Sequence, residues 1–246
     1  MNTRADKDGQ STLRLVTIRK VATDVALAVV SAAFSLLGAV RAVGISTQDL
    51  DGLWGKYDLV WNYGLARTLE SNAFLTLNAD LGFPFGEDWS HFPNFSWLSV
   101  FFLKALVLFM PPVPSVNILW LISFPLASVS MYLAARYLGS SRFIALAVSL
   151  AYALLPWHFS ELEHTSLSLY WVIPFGLIWL SFVMGTTSRF SIHRRFETVL
   201  VVSTSLVLAW GDPYYAVFIF LLGTVVFLYR FPDVYRSGEL RRRLLI

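Results

Sequence analysis

Carboxylates are concentrated in one polar stretch that lies between two apolar segments. Residues 45–93 contain seven acidic side chains but only two basic ones, Lys56 and Arg67. The acids are Asp49, Asp51, Asp58, Glu70, Asp80, Glu87 and Asp88. A carboxylate at a membrane surface can act as a general base on a hydroxyl, bind a divalent cation or orient sugar hydroxyls. Because long loops in folded proteins usually have a function, we expect the chemistry of this protein here.

Asp58 is the preferred candidate among these acids. The residues after it, DLVWNYGLARTLES, place apolar side chains at spacings of three and four, which predicts a helix that starts here. Aspartate is a favoured helix N-cap, so capping alone and capping combined with a chemical role are equally open. For Asp49 and Asp51, which are closer to the first apolar segment, we favour a turn or a cap.

Two further polar segments carry acids or histidines. Residues 157–170, WHFSELEHTSLSLY, contain His158, Glu161, Glu163 and His164. If this segment is helical, Glu161 and His164 are neighbours at i and i+3. A zinc pair is one interpretation, but the sequence has no HExxH pattern, so we favour hydrogen-bonded residues at the membrane interface. Asp212 directly precedes Pro213, so we expect Asp212 to cap the next helix.

The composition indicates an integral membrane protein. Of the 246 residues, 56% are hydrophobic and 14% are charged, and the mean hydropathy is +0.60. Soluble domains have about 25% charged residues. The formal net charge is +3, and the basic residues lie at the ends of apolar segments, so we expect no nucleic-acid partner. The chain has no cysteine, which excludes disulfides and thiolate metal sites.

The apolar segments predict an all-α, polytopic fold with about six transmembrane helices. The predicted spans are residues 23–44, 115–137, 143–156, 171–187, 197–210 and 215–230. The tails, residues 1–22 and 231–246, are both basic, so the positive-inside bias places them in the cytoplasm. Residues 45–114 then form a long extracytoplasmic first loop, and residues 23–230 form the transmembrane domain.

Residues 94–110 are apolar but contain Lys104. Counting them as a span would move Arg136 and Arg142 to the outside, against the positive-inside bias. We therefore expect a helix that lies in the outer interface. Arg41, near the outer end of the first span, can extend its guanidinium to the interface, and we favour that anchoring role over a phosphate contact.

Four motifs and the predicted topology resemble the GT-C superfamily of polytopic glycosyltransferases, which use polyprenyl-phosphate sugars. The motifs are LGFPFGEDWSHFP, RYLG, LLPWHFSELEHTSLSLYWVIP and GDPYYAVF. They are most similar to segments of bacterial GT-C-like membrane proteins, and the similarity covers residues 23–230. Members of that superfamily usually have more spans, so the resemblance implies that this chain corresponds to an N-terminal half.

The resemblance implies an enzyme of the bacterial inner membrane whose catalytic base is Asp58, with Glu161 or Glu163 as a second acid. It implies that Arg41, Arg67 or Lys104 contacts the polyprenyl phosphate. The other expected substrate-binding residues are His158, His164 and Asp212. The sequence assigns no cofactor, although a divalent cation is compatible with the acids. The implied partners are the lipid bilayer and a polyprenyl-phosphate sugar.

Two alternatives remain open at this point. One is a transporter or accessory subunit that handles lipid-linked sugars without chemistry, and the other is an inactive fragment. A transporter should carry charged residues in the middle of its spans, and the near absence of such residues favours chemistry at the membrane surface.

Overall fold

The computed structural model describes residues 3–44, 46, 50–54, 58–71, 77–78, 87–88, 96–161, 164–183 and 194–236. These residues are helical, apart from connecting turns and one antiparallel pair of two-residue strands, β1 (Leu77–Asn78) and β2 (Glu87–Asp88). The α-helices are α1 (Thr3–Val43), α2 (Asp58–Ser71), α3 (Trp97–Val107), α4 (Pro112–Tyr137), α5 (Arg142–Ala153), α6 (Pro156–Ser160), α7 (Thr165–Ser168), α8 (Ile173–Val183), α9 (Arg194–Trp210) and α10 (Pro213–Arg236), and a 3-10 helix covers Tyr170–Val172. The described residues are therefore predominantly α-helical, as the composition and periodicity predict.

In the described part of the chain, three helical segments are long and apolar enough to cross a membrane. They are Arg19–Val43 within α1, Pro112–Tyr137, which is α4, and Arg142–Ser160, which runs through α5 and α6. Shorter apolar helices cover Trp97–Val107, Tyr170–Phe182, Thr198–Trp210 and Pro213–Tyr229. The protein is thus a membrane protein with three candidate spans, and the other three predicted spans fall on shorter helices and stay predictions.

Helix α4 lies at the centre of the bundle and packs against α1, α2, α3, α5 and α8. Its contact with α1 and α5 is lined by small side chains, among which Ser31, Ser128 and Ser149 are fully buried. The Ser31 hydroxyl is hydrogen-bonded to Ser128 and lies 2.6 Å from the Ser149 Oγ. Small residues let membrane helices approach closely, and the hydroxyls satisfy one another between them.

One end of this bundle is held by a carboxylate between two arginines. The Asp24 Oδ1 accepts hydrogen bonds from Arg136 Nε at 3.0 Å, from Arg142 Nε at 2.9 Å and from the Tyr132 hydroxyl at 3.0 Å. Arg142 Nη2 also donates to the backbone oxygen of Lys20 at 2.9 Å. The early part of α1, the end of α4 and the start of α5 therefore meet at one end, so their basic residues are grouped as the sequence predicts.

Helices α2 and α3 pack against each other and against the opposite half of α4. Their buried side chains, which include Tyr63, Leu69, Val100 and Leu103, belong to one hydrophobic core cluster. Helix α3 starts at a Ser96 cap, whose hydroxyl accepts from the Ser99 N–H at 3.3 Å. The predicted helix within residues 94–110 is therefore present, and it lies at the end of the bundle away from Asp24.

Candidate functional site

Asp58 is the first residue of α2, so the helix begins where the spacing of apolar residues predicts it. The side chain of Asp58 lies outside the described part of the chain, and its predicted role as a base stays a prediction. The helix behind it is firmly placed, because Leu65, Ala66 and Leu69 are buried in the core cluster.

A buried polar network fixes the loop that leads to Asp58. The Tyr63 hydroxyl donates to Asn117 Oδ1 at 2.8 Å, and Asn117 Nδ2 donates to the backbone oxygens of Leu50 and Gly52, both at 2.8 Å. The Trp54 N–H lies 3.3 Å from the same Tyr63 oxygen. Burial raises the pKa of Tyr63, which keeps its hydroxyl protonated as a donor.

Asn117 has a structural role that the sequence reading missed. Its side chain is only 1% exposed, and its hydrogen bonds reach Tyr63, Leu50 and Gly52, which lie at least 54 positions earlier in the chain. A buried amide in an apolar segment is costly unless it is hydrogen-bonded. Asn117 lies inside the second predicted span, so this cost already indicates from the sequence that its amide has hydrogen-bond partners.

Trp54 connects the first loop to the second. Its ring meets Trp120 edge to face with centroids 6.1 Å apart, and both pack in one cluster with Phe124 and Phe159. Phe159 lies in α6, two positions before Glu161. The segment before Asp58 and the segment that carries Glu161 therefore come together at the same end of the bundle.

Glu161 and His164 form the pair that the i,i+3 spacing predicts. Glu161 Oε2 lies 3.1 Å from His164 Nδ1, with 16% of the glutamate side chain and 48% of the histidine side chain exposed. This oxygen is buried and accepts no directed hydrogen bond from the described residues. The two side chains are therefore within ion-pair distance, but they do not form a well-aligned hydrogen bond. Glu163 lies outside the described residues.

Asp212 caps α10, as the sequence predicts. Its Oδ1 accepts from the Tyr214 N–H at 2.9 Å, Pro213 is the first helical residue, and the side chain is buried. The Tyr215 hydroxyl, three residues after Asp212, donates to the Leu167 backbone oxygen, which lies three residues after His164. The third predicted turn thus adjoins the second loop.

His158 is enclosed in the core, which is at odds with its predicted role in binding substrate. Its side chain is 0% exposed, and its ring stacks on Phe124 with centroids 3.7 Å apart. Nδ1 lies 2.9 Å from the Ala153 backbone oxygen, and Nε2 lies 2.6 Å from Ser123 Oγ. Both ring nitrogens are therefore engaged within the bundle, so we assign His158 a structural role.

The three basic candidates differ in their surroundings. Arg41 is exposed in the last turn of α1. Arg67 is paired with Glu70 on the surface of α2, and 75% of its side chain is exposed. Lys104 Nζ donates to the Leu69 backbone oxygen at 2.5 Å, which places its charge on the last turn of α2. Lys104 therefore caps the end of α2, whereas the side chains of Arg41 and Arg67 are accessible to a ligand.

One end of the bundle therefore gathers the start of α2, the Glu161–His164 pair and the Asp212 cap. Among the side chains that the structure describes, no group of three His, Asp or Glu residues could hold a metal ion. Comparison of the chain with protein-family models, curated proteins and solved structures gave no match. The case for a function therefore depends on the residues at this end.

Proposed function

We propose that the chain is a GT-C-like membrane glycosyltransferase that transfers a sugar from a polyprenyl-phosphate carrier to an extracytoplasmic acceptor. The observation that carries the proposal is the grouping of three polar segments at one end of a membrane helix bundle. These segments are the loop before Asp58, the Glu161 segment and the Asp212 turn, linked by the Trp54–Phe159 cluster and by the hydrogen bond from Tyr215 to Leu167. The resemblance of the four motifs supports the same conclusion.

In the proposed reaction Asp58 is the general base. Its carboxylate accepts the proton of the acceptor hydroxyl as that oxygen attacks the anomeric carbon. The bond between the anomeric carbon and the phosphate oxygen breaks, and the polyprenyl phosphate leaves with the electron pair. Exposed Arg41 and Arg67 stabilise the leaving phosphate by charge-assisted hydrogen bonds. Glu161 or Glu163 orients the sugar hydroxyls.

The position of charges within the candidate spans favours this proposal over a transporter or an accessory subunit. In the candidate spans Arg19–Val43, Pro112–Tyr137 and Arg142–Ser160, every charged residue is among the first or last six residues of its segment. Asp24, the only acid in these three segments, is bound by Arg136 and Arg142. A proton- or ion-coupled transporter needs titratable groups in the middle of its spans.

The proposal is tested by Asp58→Asn, measured as sugar transfer from a polyprenyl-phosphate donor in membranes that contain the protein. We expect at least a 100-fold loss of transfer, because a positioned general base contributes roughly 10²–10⁴-fold. Asp51→Asn, in the same loop and with an exposed side chain, is the matched control and should retain activity. Full activity of Asp58→Asn would overturn the assignment. Donor binding by the wild type without transfer would favour the accessory subunit.

The proposed location is the bacterial inner membrane, with six spans and a cytoplasmic N-terminus. The chain has no cysteine, so single cysteines report the side on which they lie. Leu53 is 65% exposed near Asp58, and Leu138 is 52% exposed beyond α4, at the Asp24 end. A membrane-impermeant maleimide should label Leu53→Cys in intact cells, and Leu138→Cys only after permeabilisation. The reverse pattern would overturn the orientation.

A further inference from the structure

The Asp24 end of the bundle carries an excess of positive charge. Among the side chains that the structure describes there, the cations are Arg19, Lys20, Arg136 and Arg142, and the acid is Asp24. The carboxylate binds Nε and Nη2 of both arginines. It holds them side by side and neutralises only part of their charge, so the end of the bundle retains a positive field.

Three of these four cations are accessible. Arg19 and Lys20 are exposed, and 36% of the Arg142 side chain is exposed although it is paired with Asp24. The Lys20 backbone oxygen accepts from Arg142 Nη2 at 2.9 Å, which joins the exposed pair on α1 to the start of α5. Arginine and lysine in this arrangement can hold a phosphate, arginine through its fork of N–H donors and lysine as a compact charge.

The apolar residues next to these cations in the sequence are also exposed. Val21 and Val25 on α1 are each 58% exposed, and Phe143 and Ile144 on α5 are 79% and 53% exposed. Exposed apolar side chains directly beside cations match the boundary of a bilayer, where acyl chains meet headgroups. A free phosphate would use only the charges, whereas a lipid would use both features.

We propose that this end of the bundle binds the headgroup of an anionic phospholipid. The phosphate lies on Arg19, Lys20 and Arg142, and the acyl chains follow the exposed apolar residues of α1 and α5. Asp24 positions the surface, because its carboxylate holds the guanidinium of Arg142 against α1, beside Arg136 of α4. The surface is separate from the Asp58 end, so the inference is independent of the proposed glycosyltransferase.

The test is the binding of dioctanoyl phosphatidylglycerol to the purified full-length protein in a neutral detergent, followed by thermal unfolding. We expect phosphatidylglycerol to stabilise the wild type, and dioctanoyl phosphatidylcholine and inorganic phosphate at equal concentrations to have no such effect. In Arg19→Gln/Lys20→Gln the affinity for phosphatidylglycerol should fall roughly tenfold to thirtyfold, since each cation near an anionic lipid adds about fivefold. Salt should weaken the wild-type effect.

The matched control is Arg19→Lys/Lys20→Arg, which exchanges the two side chains and keeps both positive charges at the same positions. It should retain most of the phosphatidylglycerol binding, because the attraction of an anionic headgroup depends on the number of cations near it. An equal loss in the two double variants would overturn the role of these charges in the proposed surface. Equal stabilisation by inorganic phosphate would overturn the lipid as ligand, and equal stabilisation by phosphatidylcholine would overturn the role of charge.

Discussion

The Nδ1 atom of His158 lies 2.9 Å from the backbone oxygen of Ala153, at the point where α5 gives way to α6. Pro156 has no N–H, so the Tyr152 carbonyl loses its usual helical partner four residues later. The Tyr170 hydroxyl donates to that carbonyl at 2.6 Å instead. In a membrane an unpaired backbone carbonyl is costly. Tyr170 thus replaces the hydrogen bond that the proline removes, and His158 is the partner of the Ala153 carbonyl where α5 ends.

His158→Ala should lower the free energy of unfolding by about 3 kcal/mol, because it leaves a cavity and an unpaired carbonyl. Tyr170→Phe removes only the hydroxyl and should cost about 1–2 kcal/mol. Denaturant unfolding in detergent micelles measures both. His164→Ala is the control, since its exposed ring should change stability by less than about 0.5 kcal/mol. A His158→Ala variant as stable as this control would contradict a stabilising contact between His158 and the Ala153 carbonyl.

Asn117→Leu should loosen the loop that leads to Asp58. The substitution keeps the approximate volume but removes the hydrogen bonds to Leu50, Gly52 and Tyr63, at a cost of about 2–3 kcal/mol. Amide hydrogen exchange over residues 50–54 should become faster by roughly tenfold or more, since local opening sets the exchange rate.

Tyr63→Phe provides a graded comparison for Asn117→Leu. It removes the phenolic hydroxyl but leaves the hydrogen bonds from Asn117 Nδ2 to Leu50 and Gly52 in place. Exchange over residues 50–54 should therefore increase less than in Asn117→Leu. If the two variants had equal effects, the amide would not be the centre of the network.

Asp24→Asn should destabilise the protein by about 1–3 kcal/mol, because it leaves two arginines without their partly buried carboxylate. Arg142→Gln should act on the same network, so the double variant should lose less than the two single losses together. A double-mutant cycle from unfolding curves measures this coupling, which we expect to be about 1 kcal/mol. Strict additivity would contradict a shared contact, and Asp51→Asn controls for the loss of a surface acid.

The sequence predicts well those features that depend on neighbours in the chain. The start of α2 at Asp58 follows from helical spacing, the Asp212 cap follows from an aspartate before a proline, and the Glu161–His164 pair follows from i,i+3 geometry. Each of these contacts spans a few residues, so local preferences determine it.

Features that depend on distant contacts were beyond the sequence. The sequence suggests that Lys104 binds phosphate at the membrane interface. In the structure its amino group instead donates to the backbone oxygen of Leu69, 35 positions earlier, in the last turn of α2. His158 lies in a polar segment that the sequence predicts to be an external loop. In the structure its ring stacks on Phe124 of α4 and is fully buried. Whether each residue binds a ligand or has a structural role depends on how the helices pack. The spacing of residues along the sequence does not determine that packing.

Two glycines should respond to alanine in opposite directions. A Cβ at Gly176 in α8 would overlap Ile219 Cδ1 and lie 2.8 Å from its Cγ1, and Ile219 of α10 is buried at 7% exposure. Gly176→Ala should therefore separate α8 from α10 and cost about 1–3 kcal/mol. At Gly64 in α2 a Cβ meets no atom within 4 Å, so Gly64→Ala should stabilise the protein by up to about 1 kcal/mol through helix propensity.

Unfolding curves of both glycine variants in the same detergent measure the difference, and Ile219→Ala provides the rescue. In the Ile219→Ala background the atoms that crowd Gly176 are absent, so Gly176→Ala should lose most of its cost there. Gly64→Ala should keep its gain in that background, because α2 does not depend on Ile219. If Gly176→Ala remained equally destabilising without the isoleucine side chain, the close approach of α8 and α10 would not be its cause.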